Sequence, residues 1–418
     1  MATTVARQAS YSFSQVAEAN LSRSRFERSS GLKTTFDSGL LVPIFVDSVE
    51  PGDTHSMQAT SLVRLATPLH PIMDNLYVDY HFFFVPNRLI WDNWRKFMGE
   101  RKNPADSIDY TLPKMTAPAG GYGVGTIYDY FRLPAKVGAF DHQSLPFRAY
   151  NLIWNEWYRD ENLQDSVIVR TTDSGDVSTD FKLLRRGKRH DYFTSCLPFP
   201  QKGNPVTIPL GTTAPVITNN QQSTFKFDYG GTAVQRNIWV RGSDQIFLSE
   251  SPSWAGVSPF KFGSETGLQA NLSAITGISI NQLREAVAIQ SFLERDARGG
   301  TRYTELLRSH FGVISSDARL QRPEYLGGGS HPIGVQPVPQ TSSSDTSSPQ
   351  GNLGAFGIGG ANSIGFTKSF EEHGFIIGLV SVRADMTYQD GLDRFWSRQD
   401  RKSTRLNSSH IPLSRMPS

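Results

Sequence analysis

The stretch Leu76–Val85, LYVDYHFFFV, constrains the fold more than any other part of this chain. Its aromatic and β-branched residues suit a strand, with Leu76, Val78, Tyr80, Phe82 and Phe84 on one face. Tyr77, Asp79, His81 and Phe83 fall on the other face, and Pro86, which has no N–H to give a ladder, ends the run. Two further strands precede it. Gly39–Val49 is apolar and β-branched almost throughout, with Pro43 marking an edge or a bulge. Met57–Thr67 alternates, with Met57, Ala59, Ser61, Val63 and Leu65 on one side and Gln58, Thr60 and Arg64 on the other. A last good strand is expected at Gly374–Thr387.

Helical patterns interrupt these strands without regular alternation. Asn87 is placed to cap a short helix carrying Ile90, Trp91, Trp94, Phe97 and Met98, closed by Gly99. Phe147–Glu161 sets Phe147, Tyr150, Trp154, Trp157 and Tyr158 on one stripe. Ser279 and Gln282 form a capping box for a helix that stops at Gly299–Gly300, and Thr304–His310 follows as a second arm of a helical hairpin. The 36 Gly and 24 Pro call for many turns. Long strands separated by very large insertions fit a β-sandwich of jelly-roll type and fit a regularly alternating Rossmann or barrel plan poorly.

Three segments stand outside that core. Residues 1–35 read as a basic arm, with Arg7, Arg23, Arg25, Arg28 and Lys33 against Glu18 and Glu27. It is either a solvated tail or a strip lying on phosphates. Residues 204–270 are rich in Thr, Ser, Asn, Gly and Pro and read as a surface insertion with short strands of its own, such as Ser223–Phe227 and Ile238–Arg241. Residues 330–360 are rich in Pro, Ser and Gly and read as a mobile or extended loop. The single cysteine, Cys196, rules out an intrachain disulfide and any cysteine-based zinc site. No apolar run approaches the ~20 residues a membrane helix needs, so no membrane partner is expected.

Six strings carry a resemblance. They are RSRFERSSGLKTTFDSGLLVPIFVDSVEPGDTHSM (23–57), PLHPIMDNLYVDYHFFFVPNRLIWDNWRKFMGE (68–100), FRAYNLIWNEWYRDENLQDS (147–166), RGKRHDYFTSCLPFPQKG (186–203), FGVISSDARLQRPEYLGG (311–328) and EHGFIIGLVSVRADMTYQDGLDRFWSR (372–398). Long, colinear and spread over nearly the whole chain, they resemble the major capsid protein of gokushoviruses, a subfamily of the Microviridae. The resemblance implies a mainly β fold, an eight-stranded jelly roll with long loop and helix insertions spanning 36–400. It implies a homo-oligomer of roughly sixty copies in a T=1 icosahedral shell. That shell would be a virion component assembled in the host cytoplasm, enclosing a circular single-stranded DNA genome and meeting other virion proteins and a bacterial surface receptor. Residues 204–270 would form the protrusion at the threefold axes. Family members continue past Asp400 with aromatic-rich segments, whereas 401–418 has no such likeness and reads as a junction that leaves the last core strands out.

Catalytic signatures are absent: there is no HExxH, GxSxG or Walker loop, so no enzyme, cofactor or metal is expected. Gly120–Gly125 reads as a glycine turn, not a nucleotide cradle. His55, His70 and His81 are not spaced as one metal site, and Asp385, Asp390 and Asp393 read as a solvated loop before a cation site. The charge cluster that bears on function is Lys182, Arg185, Arg186, Lys188 and Arg189, followed by Tyr192 and Phe193. It reads either as a solvated or intersubunit ion-pairing loop or as a contact for DNA phosphates, and the second reading places it on the shell interior. A net charge of +3 is small for a dedicated nucleic-acid binder but compatible with many copies sharing the load. Trp91, Trp94, Trp154 and Trp157 read as core or interface packing, with an exterior sugar platform as the alternative. That alternative belongs to a second function class, a carbohydrate-binding or carbohydrate-cleaving jelly roll, which assembly state separates from a shell protein.

Overall fold

The computed structural model describes residues 22–68, 72–107, 109–173, 175–189, 197–208, short strands within 216–271, 279–344, 346 and 349–385. Its strands in chain order begin with β1 (Val42–Val49), β2 (Thr54–Arg64) and β3 (Leu76–Pro86), followed by the short pair β4 (Lys114–Thr116) and β5 (Asp141–Gln143). Six short strands come next: β6 (Val216–Thr218), β7 (Phe227–Tyr229), β8 (Thr232–Val234), β9 (Ile238–Arg241), β10 (Gln245–Leu248) and β11 (Leu268–Ala270). Three long ones close the series, β12 (Glu324–Pro339), β13 (Leu353–Ser369) and β14 (Gly374–Ala384). The helices are α1 (Asn87–Ile90), α2 (Trp94–Phe97), α3 (Ile127–Tyr130), α4 (Leu145–Ile153), α5 (Ile280–Gly299), α6 (Tyr303–Phe311) and α7 (Asp317–Leu320).

The fold is mainly β. Its body is a curled six-stranded sheet in the order β1-β14-β3-β12-β13-β2, consistent with a jelly-roll β-sandwich. β14 lies between β1 and β3, antiparallel to both, with Val380 opposite Val42 and Tyr80. β13 lies antiparallel between β12 and β2, with a bulge between Ala361 and Ile364 where Ser363 takes a positive φ of 58°. Leu76, Val78, Tyr80, Phe82 and Phe84 enter the core with Val42, Ile376, Val380, Ile364 and Phe366, as the alternation predicts. Met57, Ala59, Val63 and Leu65 pack against that core from β2. The second face of β3 is covered too: Phe83 and Val85 are buried, and Tyr325 sits edge-on to both Phe83 and His81.

Three expectations need correction. Residues 330–360 are not one loop, because β12 runs to Pro339 and β13 starts at Leu353, leaving only 340–352 as the connection. Composition misled here for a physical reason. A Cβ on Gly328 would fall 2.0 Å from the Tyr80 carbonyl oxygen, and one on Gly365 only 1.8 Å from that of Met57. The glycines permit backbone approach within a sheet and do not signal mobility. The expected single helix from Asn87 is two short helices, because Trp91 adopts extended backbone between them. Asn87 is the first helical residue there and makes no cap. The stripe beginning at Phe147 is helical only to Ile153, after which Trp154–Tyr158 widens into a π-helical turn.

Two compact units divide the chain. One comprises Met1–Tyr150, Arg170–Arg186 and Tyr325–Met386 and holds the six-stranded sheet. The other comprises Asn151–Val169, Gly187–Glu324 and Thr387–Ser418. It therefore takes in more than the expected 204–270 insertion, where β6 pairs with β11, β7 with β8 and β9 with β10. The tail 401–418, Cys196, His70, Asp390, Asp393, Tyr192 and Phe193 lie outside the described residues.

Candidate nucleic-acid interface

The basic run is built as a strip beside the lead-in to β1. The Leu41 amide donates to the Leu184 carbonyl at 2.9 Å and the Arg186 amide to the Gly39 carbonyl at 2.9 Å, with Leu40 bridged to Arg185 between them. Tyr150 on α4 locks the strip from below, since its hydroxyl donates to Leu41 O at 2.8 Å and accepts from Leu184 N at 3.0 Å. Burial pushes the Tyr150 phenol well above its ordinary pKa, so it stays a donor. Phe181 is buried against Phe147, and Leu183 packs on the sheet core. With those side chains turned inward, Lys182, Arg185, Lys188 and Arg189 are exposed.

Arg186 behaves differently from its neighbours. Its guanidinium pairs with Asp79 of β3, a carboxylate whose side chain is 2% exposed. Arg383 of β14 donates to the same Asp79 oxygen at 2.9 Å, pairs with Asp385 at 2.7 Å and lies 4.6 Å over the Tyr77 ring. Burial alone would raise the Asp79 pKa. Hydrogen bonds from Ser330 and Arg383 and the charges of Arg186 and Arg383 outweigh it, holding the carboxyl below its usual value. Arg186 is thus a fastener of the strip. Sequence reading placed Asp79 among the second-face residues of β3 without a partner. The available signal was a lone acid inside an apolar strand, which needs a cation once both faces are covered.

A second buried ion pair escaped sequence reading. Arg148 of α4 and Asp176 meet at 2.7 Å with exposures of 0% and 2%, and Arg148 also donates to the Ile90 carbonyl at 3.1 Å. Beside it Trp91 is fully buried with its indole N–H on Asp173, while half-buried Trp94 stacks edge-on against Trp91 and His373. Trp154 is buried. Trp157 donates to the Pro323 carbonyl at 3.0 Å and carries the Arg322 guanidinium 4.3 Å over its ring. All four indoles make contacts within the chain.

The arm is also engaged where it is described. Arg23 donates to the Gly52 carbonyl and Arg28 to Asp47 of β1, both at 2.6 Å, and Tyr130 holds the Thr35 carbonyl at 2.7 Å. Among the described residues no group of His, Cys, Asp and Glu could hold a metal, and no helix is long and apolar enough to cross a membrane. Ion pairs and packing dominate the described geometry.

Comparison with known proteins agrees with that character. The family model described as capsid protein (F protein) matches residues 14–404. The chain belongs to this phage capsid family. It is 47% identical over 408 residues to capsid protein VP1 of Bdellovibrio phage phiMH2K, covering 94% of this chain and 75% of that protein. It is 43% identical to capsid protein VP1 of Chlamydia phage 1, covering 93% and 76%, and 41% identical to that of Spiroplasma virus 4, covering 87% and 69%. The gokushovirus resemblance read from the six strings holds. The phage capsid protein is a structural virion component that works in many copies, not an enzyme, and the carbohydrate-active alternative finds no support.

Proposed function

We propose that this capsid protein builds a T=1 icosahedral shell of about sixty copies around a circular single-stranded DNA genome, with the Lys182–Arg189 strip facing the DNA. The observation that supports DNA contact is the spacing of exposed cations. Lys182, Arg185 and Lys188 recur at every third position with Arg189 next to the last, while Leu183, Leu184 and Arg186 are held inward. Three residues of extended chain cover about 10 Å, so the strip offers a row of separated charges along a phosphate backbone. Such contacts carry no sequence preference, which suits a container for a whole genome. Arg186 serves this site indirectly, by fastening the strip to Asp79.

The test is single-stranded DNA binding by Arg185→Glu/Lys188→Glu/Arg189→Glu, measured against salt. Neutralising about three phosphates gives a log–log salt slope near −2 for single strands, and the variant should lose that slope and at least about tenfold in affinity at low salt. Unchanged binding with the fold intact would sink the DNA reading of this strip. The 204–270 insertion, with its three small ladders, is proposed as the protrusion that meets the bacterial receptor. Its deletion should abolish attachment of particles to cells while shells still form.

A further inference from the structure

We propose that the free end of the α5–α6 hairpin, formed by Ile289, Phe292, Phe311, Val313 and Ile314, is a contact surface for a second copy of this chain. The inference rests on the shell reading, since it needs many copies, but it names which surface they use.

The two helices of the hairpin are capped and tied to each other. α5 starts from a full capping box, Ser279 accepting from Gln282 N and Gln282 accepting from Ser279 N. It turns at Gly299–Gly300, where a Cβ on Gly299 would fall 2.4 Å from the Ser309 hydroxyl, so the two helices lie in close approach. His310 pairs with Asp296 and the Arg295 guanidinium donates to the Ser309 carbonyl, tying α6 to α5. Gly312 then closes α6 in the left-handed region with φ 68°, its amide on the Arg308 carbonyl at 3.1 Å.

On this frame Phe292 lies 4.8 Å from the His310 ring, and Phe311 follows His310 directly. Phe292 is 55% exposed, Phe311 75% and Ile314 83%, with Ile289 and Val313 about half exposed. An aromatic side chain carries about 150–250 Å², so the five together leave on the order of 500 Å² of apolar surface in water. That is roughly 60% of the ~800 Å² a standard interface buries per partner and lies at the upper end of what a monomer leaves exposed. A capsid protein, which works in many copies, supplies the occupant, and the exposed area would form the apolar centre of such a contact with a polar rim completing it.

The experiment replaces Phe311 with the photo-crosslinking analogue benzoylphenylalanine in the whole chain, irradiates it in solution and maps the joined peptides by mass spectrometry. A chain-to-chain cross-link is expected. The companion variant Phe311→Ser/Ile314→Ser should weaken self-association at least about tenfold by sedimentation, with a melting temperature within about 2 °C of the parent. Cross-links only within one chain, or only to a different virion protein, would overturn the proposal, as would undiminished association of the serine variant. A chain that never self-associates overturns it together with the shell reading; a chain that associates without linking through position 311 overturns the surface alone.

Discussion

The two halves of the six-stranded sheet are built on different terms. β3 and β14 are buried on both faces, so that Phe82, Phe83, Phe84, Ile376, Ile377 and Leu379 all lie out of water. Beyond β12, β13 and β2 at the other side of the sheet are covered on one face only: along β2 half-buried and exposed residues alternate, and Leu62 is 77% exposed. The covered half carries stability and also holds the ion pairs that fasten the basic strip. The open half carries shape, and its glycines are there to let strands approach. Within this sheet, then, burial is concentrated in a few strands, and the neighbouring strands rely on them.

Substitutions in the two halves should behave differently. Phe82→Ala, in the covered half, should cost about 3–5 kcal/mol in denaturant unfolding, because a large side chain is lost from a site closed on every side. A cost near 1 kcal/mol would mean that β3 is not the stable centre. Asp79→Asn should cost roughly 3 kcal/mol, since Arg186 and Arg383 would lose a buried partner carboxylate. The same group sets an acid limit. With its folded pKa below the ordinary 3.8, Asp79 contributes stability fully above that value, and the contribution fades as pH falls from there towards the lowered folded value. The parent should therefore lose stability across that acid window, and Asp79→Asn should show a flatter pH profile; equal profiles would remove Asp79 from the account.

On the open half, Val63→Ala should cost only about 1 kcal/mol, because the side chain is half-buried and its site can relax into solvent. Leu62→Ser should change stability by less than about 0.5 kcal/mol, as its side chain already faces water. A large loss at Leu62 would show that the second face of this half is covered in the folded subunit after all, and a large loss at Val63 that its core face is closed as tightly as that of β3.

The same contrast explains what could be read without coordinates. The covered half was legible because its strands are long, apolar and β-branched: β1 and β14 appear within the expected spans, and the core face of β3 is the one its alternation gave. The Gly299–Gly300 turn and the Ser279–Gln282 box were legible because end chemistry is local. β12 and β13 were not, since Gly354, Gly357, Gly359, Gly360 and Gly365 carry no side-chain pattern and only the neighbouring strands explain them. The basic strip was visible as charge. The separate employment of Arg186 was not, because its partner Asp79 lies 107 positions away.

One more consequence follows from the way Arg23, Arg28 and Tyr130 hold the arm to its own sheet edge. Fixing a loose segment removes about 1–2 kcal/mol of backbone freedom per residue. For the stretch from Arg23 to Thr35 part of that loss is already taken when a single subunit folds. Subunits then meet with the arm in place, and the weak contacts between them are left to drive closure of the particle instead of ordering its threads.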